Sequence, residues 1–108
     1  MRGKLPFPRW ILNTKLKVYN TYLSEDGEPI ETLLFDGKAF YEEKNKQVLD
    51  KERKLVYLSG KVIIESDINP GRKIDGYVQI GEDKRTIFTA SRPKNPDGSV
   101  FSTELELM

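Results

Sequence analysis

Any acid–base or metal chemistry in this chain falls to carboxylates, lysines and hydroxyls, because the 108 residues include no histidine and no cysteine. The commonest general base, the commonest transition-metal ligand, thiolate metal sites and disulfides are thereby removed together. The carboxylate pairs are Glu42/Glu43, Glu82/Asp83 and Glu104/Glu106. Such pairs hydrolyse glycosides or hold Mg²⁺ or Ca²⁺ when their oxygens converge. Adjacent residues of a strand point to opposite faces, so Glu42 and Glu43 diverge. Glu104 and Glu106 share a face, but the alternation around them turns that face to solvent, opposite lysines. The segments around Asp26, Asp36 and Asp97 lack the alternating oxygen ligands and distal Glu of a calcium loop. A Ser or Thr nucleophile has no histidine to activate it, and neither GxxxxGK[ST] nor GxGxxG occurs. The expectation is a protein that is not an enzyme, with no catalytic residue, no bound metal and no cofactor.

Binding to nucleic acid asks for aromatics and bases interleaved on one sheet face. Tyr19, Tyr22, Tyr57 and Tyr77 are available, with Lys15, Lys17 and Lys61 on predicted strands. Glu65, Asp75, Glu104 and Glu106 fall on the same sheet, which favours core packing or interface use of these tyrosines. The formal net charge is only +1, from 18 basic and 17 acidic residues. Five of the basic residues (Arg2, Lys4, Arg9, Lys15, Lys17) lie within residues 1–17, which hold no acid. A basic arm on a slightly acidic body suits docking to an acidic partner or to a neighbouring copy.

The elements that must position these groups read as strands. Residues 1–14 form an extended arm with Pro6, Pro8 and the single tryptophan. In that arm Trp10 and Ile11 either cover one end of the core or pack on another subunit. Residues 15–108 form one domain. Lys15–Leu23 alternates as a half-buried strand and ends in a Ser24–Pro29 turn, where Gly27 can take positive φ. Ile30–Tyr41 is a second strand, with a bulge or bend expected at Asp36-Gly37. Residues 42–54, EEKNKQVLDKERK, carry nine charges and predict a long polar inter-strand loop. Leu55–Glu65, Ile74–Ile80, Arg85–Ser91 and Ser99–Leu107 complete six strands. Phe101, Leu105 and Leu107 of the last are expected to point inward. Six short strands and no amphipathic helix predict an all-β fold, a small antiparallel barrel closed to remove its edges. No apolar run approaches the ~18 residues of a membrane span, and no signal peptide is evident, so the expected site of synthesis is the cytoplasm.

The order of features also resembles a known family. A basic, proline-containing start leads to a strand, then to LLFDGKAFYEEKNKQ running into a charged segment. SGKVIIESDINPG follows, and the chain ends in RPKNPDGSVFSTELEL. This order is similar to that of the head–tail connector proteins of tailed bacteriophages, also called minor capsid, head-completion or stopper proteins, over roughly residues 12–107. The resemblance implies a small barrel assembled as a ring, typically a dodecamer, beneath the portal and its adaptor. Such a ring supports the tail and helps retain packaged DNA. It also implies that residues 42–54 point into the channel, where Lys44, Lys46, Lys51, Arg53 and Lys54 would meet DNA phosphates without sequence preference. The arm, through Arg2, Lys4, Phe7, Arg9 and Trp10, would reach a neighbour or the ring above. The protein would be made in the host bacterial cytoplasm and reside in the virion neck. An OB-like single-stranded nucleic-acid module and another ring of the neck or tail are the alternatives.

Overall fold

The computed structural model describes residues 6–108. A single 3₁₀ turn, Arg9–Ile11, precedes six strands: β1 Thr14–Leu23, β2 Pro29–Leu49, β3 Leu55–Glu65, β4 Gly76–Ile80, β5 Asp83–Ser91 and β6 Ser102–Leu107. All pairings are antiparallel, and the order β1-β2-β3-β6-β5-β4, with β4 returning to β1, closes a barrel. The expected all-β barrel is therefore the observed fold. Its core follows the alternation read from the sequence. Leu16 and Val18 of β1, Val62 and Ile64 of β3, Val78 of β4 and Leu105 and Leu107 of β6 are buried together. Burying seven such side chains supplies on the order of 10–20 kcal/mol, at roughly 1.5–3 kcal/mol each.

The main departure concerns residues 42–54. They are not a long loop. β2 runs on to Leu49 and pairs with β3 from Phe40↔Ile63 to Leu49↔Leu55, so only residues 50–54 turn. β2 serves two neighbours in succession, pairing with β1 through residues 29–39 and with β3 through residues 40–49. Its 21 residues carry a hairpin tip at each end. The expected bulge at Gly37 is also displaced. Gly37 pairs regularly with Leu16, and its missing Cβ leaves room for the Phe35 ring. The first bulge instead places Leu34 as an extra residue between the pairs Val18↔Phe35 and Tyr19↔Leu33. A second sets Lys44 and Asn45 opposite Ser59 alone, at the root of the β2–β3 hairpin. Each bulge bends β2 and adds twist, which lets one long strand wrap a small barrel.

Two smaller corrections concern strand ends. β6 starts at Ser102, so Phe101 lies before it and its ring packs on Phe7, with centroids 5.4 Å apart. Thr103 takes the inward position instead, its hydroxyl donating to the Ser66 carbonyl. Ile74 is buried but precedes β4, which begins at Gly76, a position only glycine fits because an added Cβ would collide with the Tyr19 carbonyl oxygen.

Candidate functional site

Three features depart from the closed wall, and most of the exposed large apolar side chains lie on them. The first is the 3₁₀ turn. Arg9 donates Nε and Nη2 to the two Glu65 carboxylate oxygens, each at 2.9 Å. This fork holds the Glu65 carboxyl below the usual carboxylate range, the hydrogen bond from Arg9 being the largest cause. Asn13 continues the clasp: its Oδ1 accepts from the Tyr41 amide and its Nδ2 donates to the Tyr41 carbonyl. With Phe7 on Phe101, these contacts fix the turn against the barrel. Trp10 nevertheless stays 86% exposed. It does not cover the core of its own chain, whereas Ile11 is half-buried and Phe7 packs on Phe101. Arg2 and Lys4, the remaining arm residues, lie outside the described residues.

The second and third features are the two tips of β2. The β1–β2 hairpin presents Tyr22 and Leu23 to solvent beside the turn at residues 24–28, and Leu33 farther along, opposite Tyr19 at the bulge. The β2–β3 arm presents Leu49, Leu55 and Tyr57. Alternation places these last three on one face, with Leu49 directly opposite Leu55 and Tyr57 opposite Gln47, while Val48 and Val56 form the other face. This arm has a physical peculiarity. β6 joins β3 only from Gly60 onward, so residues 55–58 have β2 as their one neighbour. A two-stranded ribbon is marginal by itself, and the apolar residues on its outer face stay in solvent while Val48 and Val56 on the other are half-buried. The turn at its end lies across an open cleft from Phe88 and Thr89 of β5.

Both tips are built on the same turn. In the first, the Ser24 amide donates to the Glu28 carbonyl, Gly27 donates to Ser24, and Ser24 Oγ accepts from the Glu28 amide. In the second, Asp50 donates to Lys54 and Arg53 to Asp50, while Asp50 Oδ1 accepts from the amides of Glu52 and Lys54. The left-handed position is Gly27 (φ 80°) in one and Arg53 (φ 62°) in the other. A non-glycine residue there costs roughly 1–2 kcal/mol.

The residues expected to face a channel are thus spread along this arm. Lys44 sits in the bulge, Lys46 pairs opposite Leu58, and Lys51, Arg53 and Lys54 occupy the turn, with Lys54 3.3 Å from Glu52. Elsewhere the charges pair on the wall. Lys61 meets Glu104 at 3.0 Å and Arg92 meets Asp67 at 2.9 Å. Tyr19 and Tyr77 stack on each other at 5.1 Å, and the Tyr77 hydroxyl donates to Glu31. Desolvation, followed by that bond, raises the Tyr77 phenol above its usual value. Rings engaged with each other beside a carboxylate make a poor platform for nucleic-acid bases, despite Lys84 lying over Tyr77. A Ser-x-x-Lys spacing, Ser91–Lys94, also exists. On a helix it would bring hydroxyl and amine to one face. Here Ser91 ends a strand and Lys94 bridges to Val100, so the helical geometry is missing. Among the described residues no group of three or more Asp or Glu is placed to hold a metal ion. Comparison with protein-family models, with curated proteins and with solved structures yields no match.

Proposed function

We propose that this chain is a structural protein of a tailed-phage or prophage virion, which forms a head–tail connector ring under the portal and adaptor. The ring would join head to tail and help retain packaged DNA. The observation that carries this reading is the placement of exposed apolar side chains. Trp10, Tyr22, Leu23, Leu33, Leu49, Leu55 and Tyr57 lie on the anchored turn and the two hairpins. A closed barrel with all its alternating core positions filled has no folding use for them. Aromatic and leucine side chains held on ordered backbone, with little entropy left to lose, make good contact residues in an assembly. The arm at residues 44–57 mixes five basic and two acidic residues, a composition suited to loose, salt-sensitive contact with DNA phosphates.

The test is direct. Purified protein is mixed with portal–adaptor complexes of the phage genome that encodes it, and the particles are imaged by electron microscopy. A new layer of density at the tail-proximal end is expected. No added layer at high protein concentration overturns the reading, and nanomolar single-stranded DNA binding by the free monomer would favour the nucleic-acid alternative.

A further inference from the structure

We propose that copies of this chain bind one another head to tail, the β1–β2 tip of one docking on the β2–β3 arm of the next. Charge carries the argument first. Residues 22–31 hold Glu25, Asp26, Glu28 and Glu31 and no basic residue. Residues 44–57 hold Lys44, Lys46, Lys51, Arg53 and Lys54 against Asp50 and Glu52. Internal contacts sharpen the contrast. Glu31 accepts from Tyr77, Asp50 is occupied by turn amides, and Glu52 pairs with Lys54. Glu25, Asp26 and Glu28 make no ion pair among the described residues, and neither do Lys44, Lys46, Lys51 and Arg53. Opposite potentials on two surfaces of one chain steer copies together and set their register.

Geometry leaves both tips open to a neighbour. The two tips terminate opposite ends of β2, and no ion pair joins them among the described residues. Each tip also carries exposed apolar side chains, Tyr22 and Leu23 on one and Leu49, Leu55 and Tyr57 on the other, which would remove water from the charges they flank. The sheet edges agree. Residues 29–38 of β2 have no strand on the side away from β1, and residues 43–49 have none on the side away from β3. These open edges face opposite ways along one strand and can take up backbone hydrogen bonds from a neighbour. A contact between two different surfaces is heterologous, and it closes into a ring when the rotation per copy permits. The arginine held at a left-handed position, where the equivalent turn has glycine, keeps a positive charge at the tip at a cost in local stability.

The contact deepens the connector reading and rests on it only in supposing that copies stand side by side. The experiment is a charge swap read by sedimentation velocity over a concentration series at low and high salt. Three variants are compared with the wild type: E25K/D26K/E28K, K51E/R53E/K54E, and both sets combined. Wild type is expected to associate at low salt and to dissociate as salt rises. Each single set should weaken association at least tenfold, and the combination, complementary again, should recover it. A wild type that stays monomeric, a single set without effect, or a combination as weak as its parts overturns the contact. Should a reversed chain misfold, L23C/L55C serves instead, since the chain has no other thiol. Oxidation should give a ladder of disulfide-linked oligomers, and a product that remains monomeric overturns the contact. The same variants separate the two ideas on portal–adaptor complexes. Wild type and single sets that add a layer equally well sink the contact alone. Tip-dependent self-association without any added layer sinks the connector reading alone.

Discussion

The two hairpins at the ends of β2 share one turn and differ in almost everything around it. The Ser24–Glu28 turn and the Asp50–Lys54 turn close with the same backbone hydrogen bonds, and in each a side-chain oxygen of the first residue accepts from the last amide, the Ser24 hydroxyl in one and the Asp50 carboxylate in the other. One tip is acidic with glycine at the left-handed position, and the other is net basic with arginine there. Backbone geometry therefore does not distinguish them; surface chemistry does. In the proposed contact, this opposite charge is what lets the tip of one copy meet the arm of the next. Folding alone would accept glycine at both places.

The largest expected effect marks where hairpin ends and wall begins. Leu105→Ala, at a fully buried position, should cost about 2–5 kcal/mol. Leu55→Ala, on the arm and half exposed, should cost under ~0.5 kcal/mol by the usual behaviour of surface sites. Urea denaturation of the two variants checks the contrast, and similar losses would mean that the arm belongs to the core. The next effect sharpens the turn comparison. Gly27→Ala should destabilise by about 1 kcal/mol, while Arg53→Gly should stabilise by about 0.5–1 kcal/mol through relief of the left-handed backbone. Thermal melts of both report the sign.

The smallest effect concerns the third exposed feature. Glu65 titrates below its unfolded value of about 4.3, so its support for the 3₁₀ turn is fully present above that pH. The support is lost as pH falls through the lower, folded value. Trp10 is the single tryptophan and sits beside Arg9, so its fluorescence should change in that acid range before global unfolding. Arg9→Ala should produce the same spectrum at neutral pH and leave the melting temperature within about 2 °C, as an exposed ion pair contributes little.

How much of this was legible in the sequence follows from the same hairpins. The barrel was legible because Val62, Ile64, Leu105 and Leu107 alternate with polar residues, and period two decides which face is buried. The first turn was legible because Gly27 announces it. The second was not: residues 50–54 carry none of glycine, proline or asparagine, so the arm read as a long loop. Alternation also reveals faces but not neighbours. Tyr57 and Leu55 continue the outward face of Lys61 and Ile63, yet nothing local says that β6 stops pairing at Gly60. The choice between the two readings of Trp10 was not legible for a related reason: the turn that carries it is tied down by an ion pair from Arg9 to a residue 56 positions away. The basic residues Lys44, Lys46, Lys51, Arg53 and Lys54 were legible as a group because they crowd one charged stretch, whereas the acids Glu25, Asp26 and Glu28 sit inside an ordinary turn signal that drew attention to Gly27 instead.

Hydrogen exchange across β3 tests the central claim, that the hairpins serve assembly and the wall serves the fold. In the free chain, amides of residues 55–58 should exchange far faster than those of residues 60–65, which have a strand on both sides. In the ring assembled on portal–adaptor complexes, the arm should become as protected as the wall. Arm amides already slow in the free chain, or unchanged in the assembled ring, would contradict the account.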